Sequence, residues 1–343
     1  MDALPQFQLI RPTTLADVLA ARTAHPASRL IGGGTDLLVN IRRGIEAPPV
    51  LIEMNGVAEL RTIRADAQSL EIGASVTLSE LARHPQVIEH YPVVAEAAHI
   101  IAGPTHRNMG TVGGNLCLDT RCIYYNQSEW WRSANNHCLK TTGDICHVAP
   151  KSHDVCFATF SGDLAPPLLT LHAEVELAGP DGRRTLPLRD LYIGYARHVS
   201  ATGDGKNYLA LKLGEFVVSV RASNTPGLRS AYDKIRIRRS IEYPVCGVAV
   251  ALRRAGDALA DLRVAFTGTN PRPVLLEGTA DLCGSGLDDR LFRGLDALVR
   301  DQIMSMKTTF TPGHYRRRVA GVLARRLVTR LFAGGGVPRP HPA

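Results

Sequence analysis

Four cysteines fall within one short stretch of the chain, at Cys122, Cys138, Cys146 and Cys156. Clustering of this kind favours a metal or cluster site over unrelated core residues. The intervals of 15, 7 and 9 residues between them lack the close C-x2-C pairs of structural zinc sites, although a folded loop can still bring four thiolates together. Four thiolates are the ligands that a 4Fe-4S cluster needs. On spacing alone, a cluster, a zinc site and free thiols all stay open.

The segment around these cysteines, from Leu118 to Val155, has no periodic hydrophobic pattern and is rich in Asn, Ser, Thr and His. We interpret it as an insertion. A loop of this length has little core of its own, so a metal centre would also order it, with Trp130 and Trp131 as apolar cover. Cys117 directly continues a GGNL motif and is left out of the predicted ligand set. Three histidines are further candidate ligands: His137, His147 and His153.

Two glycine-rich loops form a second chemical feature. The first, Gly32 to Thr35, directly follows a predicted strand at Arg29 to Ile31. Consecutive glycines leave backbone N–H groups accessible to a phosphate, although this loop matches neither a Walker A nor a complete G-x-G-x-x-G motif and is also typical of a tight turn. The second loop, from Gly103 to Thr105 and from Gly110 to Asn115, adds hydroxyl and amide groups. Two such loops favour a dinucleotide.

The hydrophobic pattern predicts an α+β protein in several parts. A helix capped by Thr14 and the first strands form one small unit, and the strand at Phe216 to Val220 is assigned to the C-terminal domain. The predicted parts are residues 1–57, residues 58–190 with the insertion at 118–156, residues 191–332, and a Gly/Pro-rich tail at 333–343.

Composition excludes several classes of protein. The 343 residues contain no run of about 18 apolar residues, and the N-terminus lacks the pattern of a secretory signal. Five of the seven cysteines fall between positions 117 and 156, which suits reduced thiols rather than a disulfide framework, so we predict a cytoplasmic protein without a membrane span. The net charge of +8 predicts a solvated helix face or a subunit contact rather than a nucleic-acid surface. The arginines that give the chain its excess of positive charge are concentrated near the C-terminus: Arg316, Arg317, Arg318, Arg325, Arg326 and Arg330.

The order of several motifs is more specific than any one of them. Along nearly the whole chain they read IGGGTDL, IGASVTL, GPTHRNMGTVGGN, SGDLAPPL, YDKIRIRRS, TGTNPRPV and HYRRRV. This set resembles the FAD-binding subunits of the xanthine dehydrogenase, or molybdenum hydroxylase, family. The resemblance implies a two-part FAD-binding domain like that of vanillyl-alcohol oxidase, followed by a smaller α+β domain of the carbon monoxide dehydrogenase flavoprotein type.

The resemblance also implies where FAD would lie. Its diphosphate would be wrapped by Ile31, Gly32, Gly33, Gly34, Thr35, Asp36, Leu37 and Leu38. The second loop would complete the cradle with Thr111, Val112, Gly113, Gly114 and Asn115. Asp163 would bond the ribose or adenine end, and Lys234 would approach the isoalloxazine. From the residues alone, a helix N-cap for Asp163 and an exposed strand position for Lys234 stay open as alternatives.

The insertion carries a narrower resemblance. Family members of the common type run almost directly from GTVGGN to SGDLAPP, whereas about 45 residues intervene here. An insertion with CLDTRC-x-YY and three further cysteines resembles the beta subunits of 4-hydroxybenzoyl-CoA reductases. It implies a 4Fe-4S cluster at the four cysteines that passes electrons from reduced ferredoxin to FAD. A small subunit with two 2Fe-2S clusters and a large molybdenum-cofactor subunit would complete a dimer of heterotrimers that reduces 4-hydroxybenzoyl-CoA to benzoyl-CoA.

The chain shows no nucleophile triad and no paired carboxylates, so we predict no catalytic residue of its own and chemistry that belongs to its cofactors. Two other functions stay open. One is the FAD subunit of an oxidative molybdenum hydroxylase for an aldehyde, carbon monoxide or an N-heterocycle, with the insertion as a docking element. The other is a zinc-stabilised assembly module without flavin.

Overall fold

Three β-sheets organise the part of the chain that the structure describes. The structure is a computed structural model and describes residues 4–194, 203–238 and 240–334. Residues 335–343 of the predicted tail therefore lie outside the described residues. Among the helices of the described ranges, none is long and apolar enough to cross a membrane.

The N-terminal unit is a parallel sheet with the strand order β1-β3-β2. The predicted capped helix is confirmed, because Thr14 Oγ1 accepts from the Asp17 N–H and the Asp17 carboxylate accepts from the Thr14 N–H. Leu15 and Val18 of this helix are buried against Ile52. The first glycine loop is the turn that joins β2 to α2. The elements are β1 (Gln8–Ile10), α1 (Leu15–Ala24), β2 (Arg29–Ile31), α2 (Leu37–Arg42) and β3 (Val50–Glu53).

The second sheet is antiparallel, with the strand order β4-β5-β8-β6-β7. Its strands are β4 (Ile63–Ala65), β5 (Ser69–Gly73), β6 (Glu174–Gly179), β7 (Gly182–Pro187) and β8 (Phe216–Ser223). Its helices are α3 (Leu78–Arg83), α4 (Pro85–His90), α5 (Pro92–Ile100), α6 (Pro104–Arg107), α7 (Val112–Leu116), α8 (Glu129–Ala134) and α9 (Ala165–Thr170). Short 3-10 helices lie at Ala58–Arg61 and Leu188–Leu191. The second glycine loop runs from α6 into α7.

Strand β8 differs from its predicted place. The sequence pattern assigns it to the C-terminal domain, whereas the structure pairs it with β5 and β6, and Val220 lies opposite both Ile72 and Val175. The strand is apolar on both faces, since Val218 belongs to the core of the N-terminal unit and Val217 to the core of the second sheet. Such a pattern predicts a central strand but does not reveal which sheet it joins.

The C-terminal domain is an antiparallel sheet with the order β12-β11-β10-β9. Helices α10 and α11 cover one face, where Val248, Phe266, Leu295 and Leu323 form a buried core. Helices α5 and α9 of the preceding domain contact the other face, so this domain packs directly on the second unit. The elements are β9 (Arg229–Ile235), β10 (Cys246–Ala255), β11 (Ala258–Thr267), β12 (Val274–Leu275), a 3-10 helix (Thr279–Leu282), α10 (Asp289–Gln302) and α11 (Gly313–Phe332).

Arg316, at the start of α11, departs from the predicted solvated face. It is only 1% exposed and donates to the carbonyl groups of Val245, Gly268 and Met306 and to the hydroxyl of Thr308. Burial lowers the pKa of its guanidinium to about 10. The residue ties the helix to three loops, because four buried acceptors replace the water it loses. Its neighbours Arg317, Arg318 and Arg326 are exposed, as predicted.

The insertion contains one short helix, α8, which Ser128 caps by accepting from the Trp131 N–H. The rest is a series of turns. Arg132 is buried and donates to the carbonyls of Arg43 and Gly44, which ties the insertion to the N-terminal unit. The predicted apolar cover is wrong for Trp130, which is 78% exposed.

Candidate cofactor-binding site

The two glycine loops meet. A Cβ added to Gly33 would lie 1.8 Å from the carbonyl oxygen of Met109, and one added to Gly32 would lie 2.8 Å from Thr111 Oγ1. Only a residue without a side chain permits this approach at Gly33, because the obstacle is backbone. A cavity of about 420 Å³ borders both loops. Its size lies within the range of small-molecule sites.

Backbone N–H groups of the first loop are free to bind a ligand. Within the described part of the chain, those of Gly33, Gly34, Thr35 and Asp36 have no protein acceptor, and all four residues border the cavity. Gly34 has a φ of +69°, the left-handed conformation that lets successive N–H groups converge. Such a run of N–H groups forms a concavity that suits an anion.

The second loop has a different role in the geometry. Three of its N–H groups are already bonded: Val112 donates to the carbonyl of Val76, Gly113 to that of Ala74, and Gly114 to Thr111 Oγ1. These bonds fix the loop as a rigid wall. The run of consecutive N–H groups without a protein acceptor therefore belongs to the first loop.

Most of the predicted cofactor residues border the cavity, and three do not. Leu38 packs beneath Gly34, and Val112 is buried in the core of the second sheet. Lys234 lies behind the cavity wall, with a fully buried side chain. Those that border the cavity are Ile31, Gly32, Gly33, Gly34, Thr35, Asp36, Leu37, Thr111, Gly113, Gly114, Asn115 and Asp163.

Asp163 and Lys234 form a buried ion pair between domains. Lys234 Nζ lies 3.1 Å from both carboxylate oxygens of Asp163, and the Tyr232 hydroxyl donates to the same carboxylate at 2.6 Å. The alternatives from sequence are therefore wrong: α9 has Leu164 as its N-cap, and Lys234 is not exposed. Burial and the Asp163 charge raise the pKa of Tyr232 well above its usual value, so the tyrosine keeps its proton and donates.

Asp36 connects three parts of the molecule at the mouth of the cleft. Its carboxylate pairs with Arg121 of the insertion and accepts from Asn40 at 3.2 Å and from the Tyr243 hydroxyl at 3.4 Å. The Arg121 guanidinium also lies 4.7 Å from the centre of the Tyr243 ring, a cation–π contact. The insertion and the C-terminal domain therefore both hold the end of the first glycine loop.

Several cavity residues have no sequence signal that identifies them in advance. Arg22, Arg29 and Glu46 come from the N-terminal unit, where Arg29 pairs with Glu46. Tyr208 comes from the segment before β8, and its hydroxyl donates to the Cys117 carbonyl at 3.0 Å. None belongs to a motif, and only the fold brings them together. Others of this kind are Leu209, Leu211 and Ile241, whereas Asp119 and Ser161 belong to the CLDTRC and SGDLAPPL motifs.

The four cysteines of the insertion are neighbours. The thiols of Cys138, Cys146 and Cys156 contribute to raising the pKa of Cys122 to about 12, after burial, which has the larger effect. Burial likewise raises the pKa of Cys156 to about 11, against a lowering by Lys140. In the described ranges, no three His, Cys, Asp or Glu side chains are arranged to hold a single metal ion.

Turns organise the backbone at these cysteines. The Cys122 carbonyl accepts from Tyr125 and Asn126, and the Cys138 carbonyl accepts from Thr141 and Gly143. The Cys146 carbonyl accepts from Ala149, and the Cys156 thiol accepts from the Ala158 N–H at 3.4 Å. Such turns hold cysteine side chains at fixed positions, and N–H donors to sulfur are a feature of iron–sulfur sites.

The other candidate ligands are engaged elsewhere. Cys117 borders the cavity between the glycine loops. His147 contacts the His137 carbonyl through Nε2, and His153 contacts the Asp144 carbonyl through Nδ1 at 3.2 Å. His137 lies 3.7 Å from a Glu129 oxygen. Each of these three histidines therefore already has a polar partner in the described structure.

Three sheets and a glycine-lined cleft with unpaired N–H groups define a protein that binds a nucleotide cofactor. The pattern of the FAD-binding domain in molybdopterin dehydrogenases matches residues 5–222, and that of the CO dehydrogenase flavoprotein C-terminal domain matches residues 230–331. The chain belongs to this family of FAD-binding subunits of molybdenum hydroxylases. The predicted family, the α+β fold and FAD as a cofactor are confirmed.

Individual relatives agree with this assignment. The chain is 30% identical over 329 residues to the aldehyde oxidoreductase FAD-binding subunit PaoB of Escherichia coli, covering 93% of this chain and 97% of that protein. It is 26% identical to the carbon monoxide dehydrogenase medium chain of Afipia carboxidovorans, over 95% and 96% of the two chains. A solved structure of CO dehydrogenase from Oligotropha carboxidovorans has the same fold, with a TM-score of 0.76, 24% identity and coverage of 96% and 99%.

These relatives bear the names of aldehyde and carbon monoxide enzymes. The narrower resemblance to 4-hydroxybenzoyl-CoA reductases rests on the insertion alone, from Cys117 to Cys156, and no relative reported above supports it. The comparisons also leave the 4Fe-4S cluster and the ferredoxin donor without support.

Proposed function

We propose that this chain is an electron-transfer subunit that holds FAD with its diphosphate against the first glycine loop. The observation that carries the proposal is the run of N–H groups from Gly33 to Asp36, which border the cavity and have no protein acceptor in the described ranges. A diphosphate would accept from them, as anions do from backbone nests. The loop from Thr111 to Asn115 would form the opposite wall.

Asp163 would bond a hydroxyl or amine of the cofactor from the floor of the cleft. Lys234 would act behind it, because its ammonium group is bound to both Asp163 oxygens and is shielded from the cavity. This role replaces direct contact between Lys234 and the isoalloxazine. Bound FAD supplies the acceptance and release of electrons, while these residues bind it, orient it and exclude water.

We also propose that the insertion holds a 4Fe-4S cluster through Cys122, Cys138, Cys146 and Cys156. Two observations support this ligand set: the four thiols are close enough to affect one another electrostatically, and each cysteine lies in a hydrogen-bonded turn or accepts an N–H donor. The metal would stabilise the thiolates, since burial raises the pKa of the Cys122 and Cys156 thiols and otherwise keeps these two groups protonated. Electrons would then pass between the cluster and FAD within one chain.

The partners follow from the family. A large subunit with the molybdenum cofactor would bind and transform the substrate, and a small subunit with two 2Fe-2S clusters would connect it to this chain, in a dimer of heterotrimers. We place the complex in the cytoplasm, where cysteine thiols stay reduced.

The aldehyde oxidoreductase subunit PaoB is 30% identical over most of both chains, which favours an oxidative molybdenum hydroxylase acting on an aldehyde.

A second reaction is favoured by the insertion. Its sequence CLDTRC-x-YY with the further cysteines supports the reductive dehydroxylation of 4-hydroxybenzoyl-CoA to benzoyl-CoA, with reduced ferredoxin as the donor. Assays of the purified complex separate the two reactions. Aldehyde oxidation with an artificial electron acceptor would support the first, and benzoyl-CoA formation from 4-hydroxybenzoyl-CoA with reduced ferredoxin would support the second.

Cofactor analysis tests the two proposals for this chain separately. Anaerobically purified protein should contain one FAD, seen by its absorbance, and about four iron atoms, seen by metal analysis and electron paramagnetic resonance. Flavin without iron would overturn the cluster and leave the flavin site intact. Zinc in place of iron would instead favour a metal that only stabilises the insertion.

A further inference from the structure

Lys140 is a buried cation in the insertion. Its side chain is 3% exposed, and its ammonium group donates to Asp119 Oδ1 at 2.7 Å, Thr120 Oγ1 at 2.8 Å and the Gly205 carbonyl at 2.6 Å. These three bonds use every N–H of the group. The Asp119 carboxylate is also fully engaged, since its second oxygen accepts from the Tyr125 hydroxyl at 2.8 Å.

Two aromatic rings enclose the same ammonium group. The ring centres of Tyr125 and Tyr208 each lie 4.9 Å from Lys140 Nζ, within cation–π range. Tyr125 belongs to the insertion, whereas Tyr208 belongs to the segment before β8. The geometry thus holds a positive charge at one fixed position, between two parts of the fold that are far apart in sequence.

One side of this cation faces the flavin cleft. Asp119 and Tyr208, which both contact Lys140, line the cavity between the glycine loops. One layer of side chains, that of Asp119 and Tyr208, therefore separates the ammonium group from the cleft. In a buried, weakly polarisable environment a unit charge acts across one layer of side chains far more strongly than it does across the same separation in water.

The other side faces the cysteines. A Cβ added to Gly205 would lie 2.7 Å from the Cys156 thiol and 3.7 Å from Lys140 Cδ, so the cysteine and the lysine stem meet at this glycine. Lys140 also follows Cys138 by two residues. The lysine therefore lies between the four-cysteine site and the flavin cleft and contacts the boundary of each.

We propose that Lys140 and Asp119 form a fixed charge pair that sets the reduction potential of the flavin and joins the insertion to its cleft. Lys140 is a positioning residue, since it acts on the cofactor through charge and through Asp119 and Tyr208. An added electron on the flavin is favoured by the positive member of the pair and disfavoured by the negative member. The effect on the flavin rests on family membership, whereas an effect on a cluster would rest on the proposed function.

Spectroelectrochemical titration of the FAD in the full chain, purified with its partner subunits, tests the proposal. Lys140→Met leaves the Asp119 charge uncompensated and should lower the flavin midpoint potential. Asp119→Asn leaves the lysine uncompensated and should raise it. The double variant should fall between the two single variants, and Lys140→Arg should retain the wild-type potential because it keeps the charge.

Opposite shifts are the diagnostic result, because a loss of structure would move both potentials in one direction. Shifts of the same sign, or none, would overturn the proposal. Should Lys140→Met fail to bind FAD, the nearly isosteric Asp119→Asn decides alone: a raised potential supports the charge pair, and an unchanged or lowered one refutes it. Iron content measured on the same wild-type sample tests the cluster separately, so the two ideas can fail independently.

Discussion

Lys234 Nζ lies 3.1 Å from both carboxylate oxygens of Asp163, and the side chains of the two residues are 0% and 4% exposed. Lys234 belongs to β9 of the C-terminal domain, whereas Asp163 precedes α9 and borders the flavin cleft. The pair is therefore both a contact between domains and a support for the cleft floor. A substitution of Lys234, on the C-terminal side of the pair, should therefore alter the binding of FAD.

Lys234→Met should impair both stability and FAD binding. Removal of one partner from a buried ion pair typically costs about 3 to 5 kcal/mol, because the other charge stays buried without compensation. We expect a lower urea midpoint and a weaker flavin affinity, measured by fluorescence titration. The double variant Lys234→Met with Asp163→Asn should recover part of the stability without recovering the affinity for FAD. Equal FAD affinity in the wild type and in Lys234→Met would contradict a role of Lys234 in supporting the cleft floor.

Gly33→Ala should abolish FAD binding. The new Cβ would lie 1.8 Å from the Met109 carbonyl oxygen, so the two glycine loops would have to separate and the N–H groups from Gly33 to Asp36 would lose their arrangement. The ratio of flavin to protein absorbance in the purified variant measures the effect. Gly286→Ala is the matched control, because this glycine lies outside the cleft. The nearest atom to its added Cβ is the Asp257 carbonyl oxygen, at 3.2 Å. A yellow Gly33→Ala protein with normal flavin content would argue against the cradle.

Local sequence patterns predicted the parts of this fold that depend on local structure. The capping box of α1 and the glycine turn after β2 require particular residues at particular positions, so the sequence identifies them. The partner of a strand does not depend on local sequence, so the sequence pattern places β8 in the wrong domain. Its two apolar faces indicate burial without indicating which sheets bury it.

Side-chain environments formed by distant segments were the least predictable. Lys234 resembles an exposed strand residue until the fold brings Asp163 against it, and Arg316 resembles its exposed neighbours until four acceptors surround it. Trp130 is predicted as apolar cover for a metal centre, yet on α8 it is exposed. In each case the partner lies far away in sequence or the local helix decides the direction.

Cys138→Ser should remove the iron and leave the flavin. Three thiolates and a hydroxyl bind a 4Fe-4S cluster poorly, so the paramagnetic signal of the reduced protein should be lost together with most of the iron. Cys283→Ser provides a matched control, because this half-buried cysteine lies in the C-terminal domain beside Thr279, away from the insertion. Iron retained in Cys138→Ser would refute the ligand set, and iron lost from Cys283→Ser would indicate a general defect.

The pH dependence of stability should reveal Glu96, on α5 at the contact with β9. Burial raises the pKa of its carboxyl to about 7. The positive charge of Arg330 lowers this pKa, and the negative charge of Asp233 raises it. The folded protein thus holds a proton that the unfolded chain releases at lower pH. The contribution of this group to stability is complete below its usual pKa of 4.5 and is lost as the pH rises through about 7.

Glu96→Gln should therefore stabilise the protein above pH 7 by about 3 kcal/mol and have little effect below pH 5. The glutamine carbonyl can still accept from the Tyr232 N–H, which the Glu96 carboxylate does at 2.9 Å, so the variant isolates the charge. Urea unfolding of both proteins across this range measures the difference, and subtraction removes the other titrating groups. A difference that is constant with pH would mean that the pKa of Glu96 is the same in the folded and unfolded states.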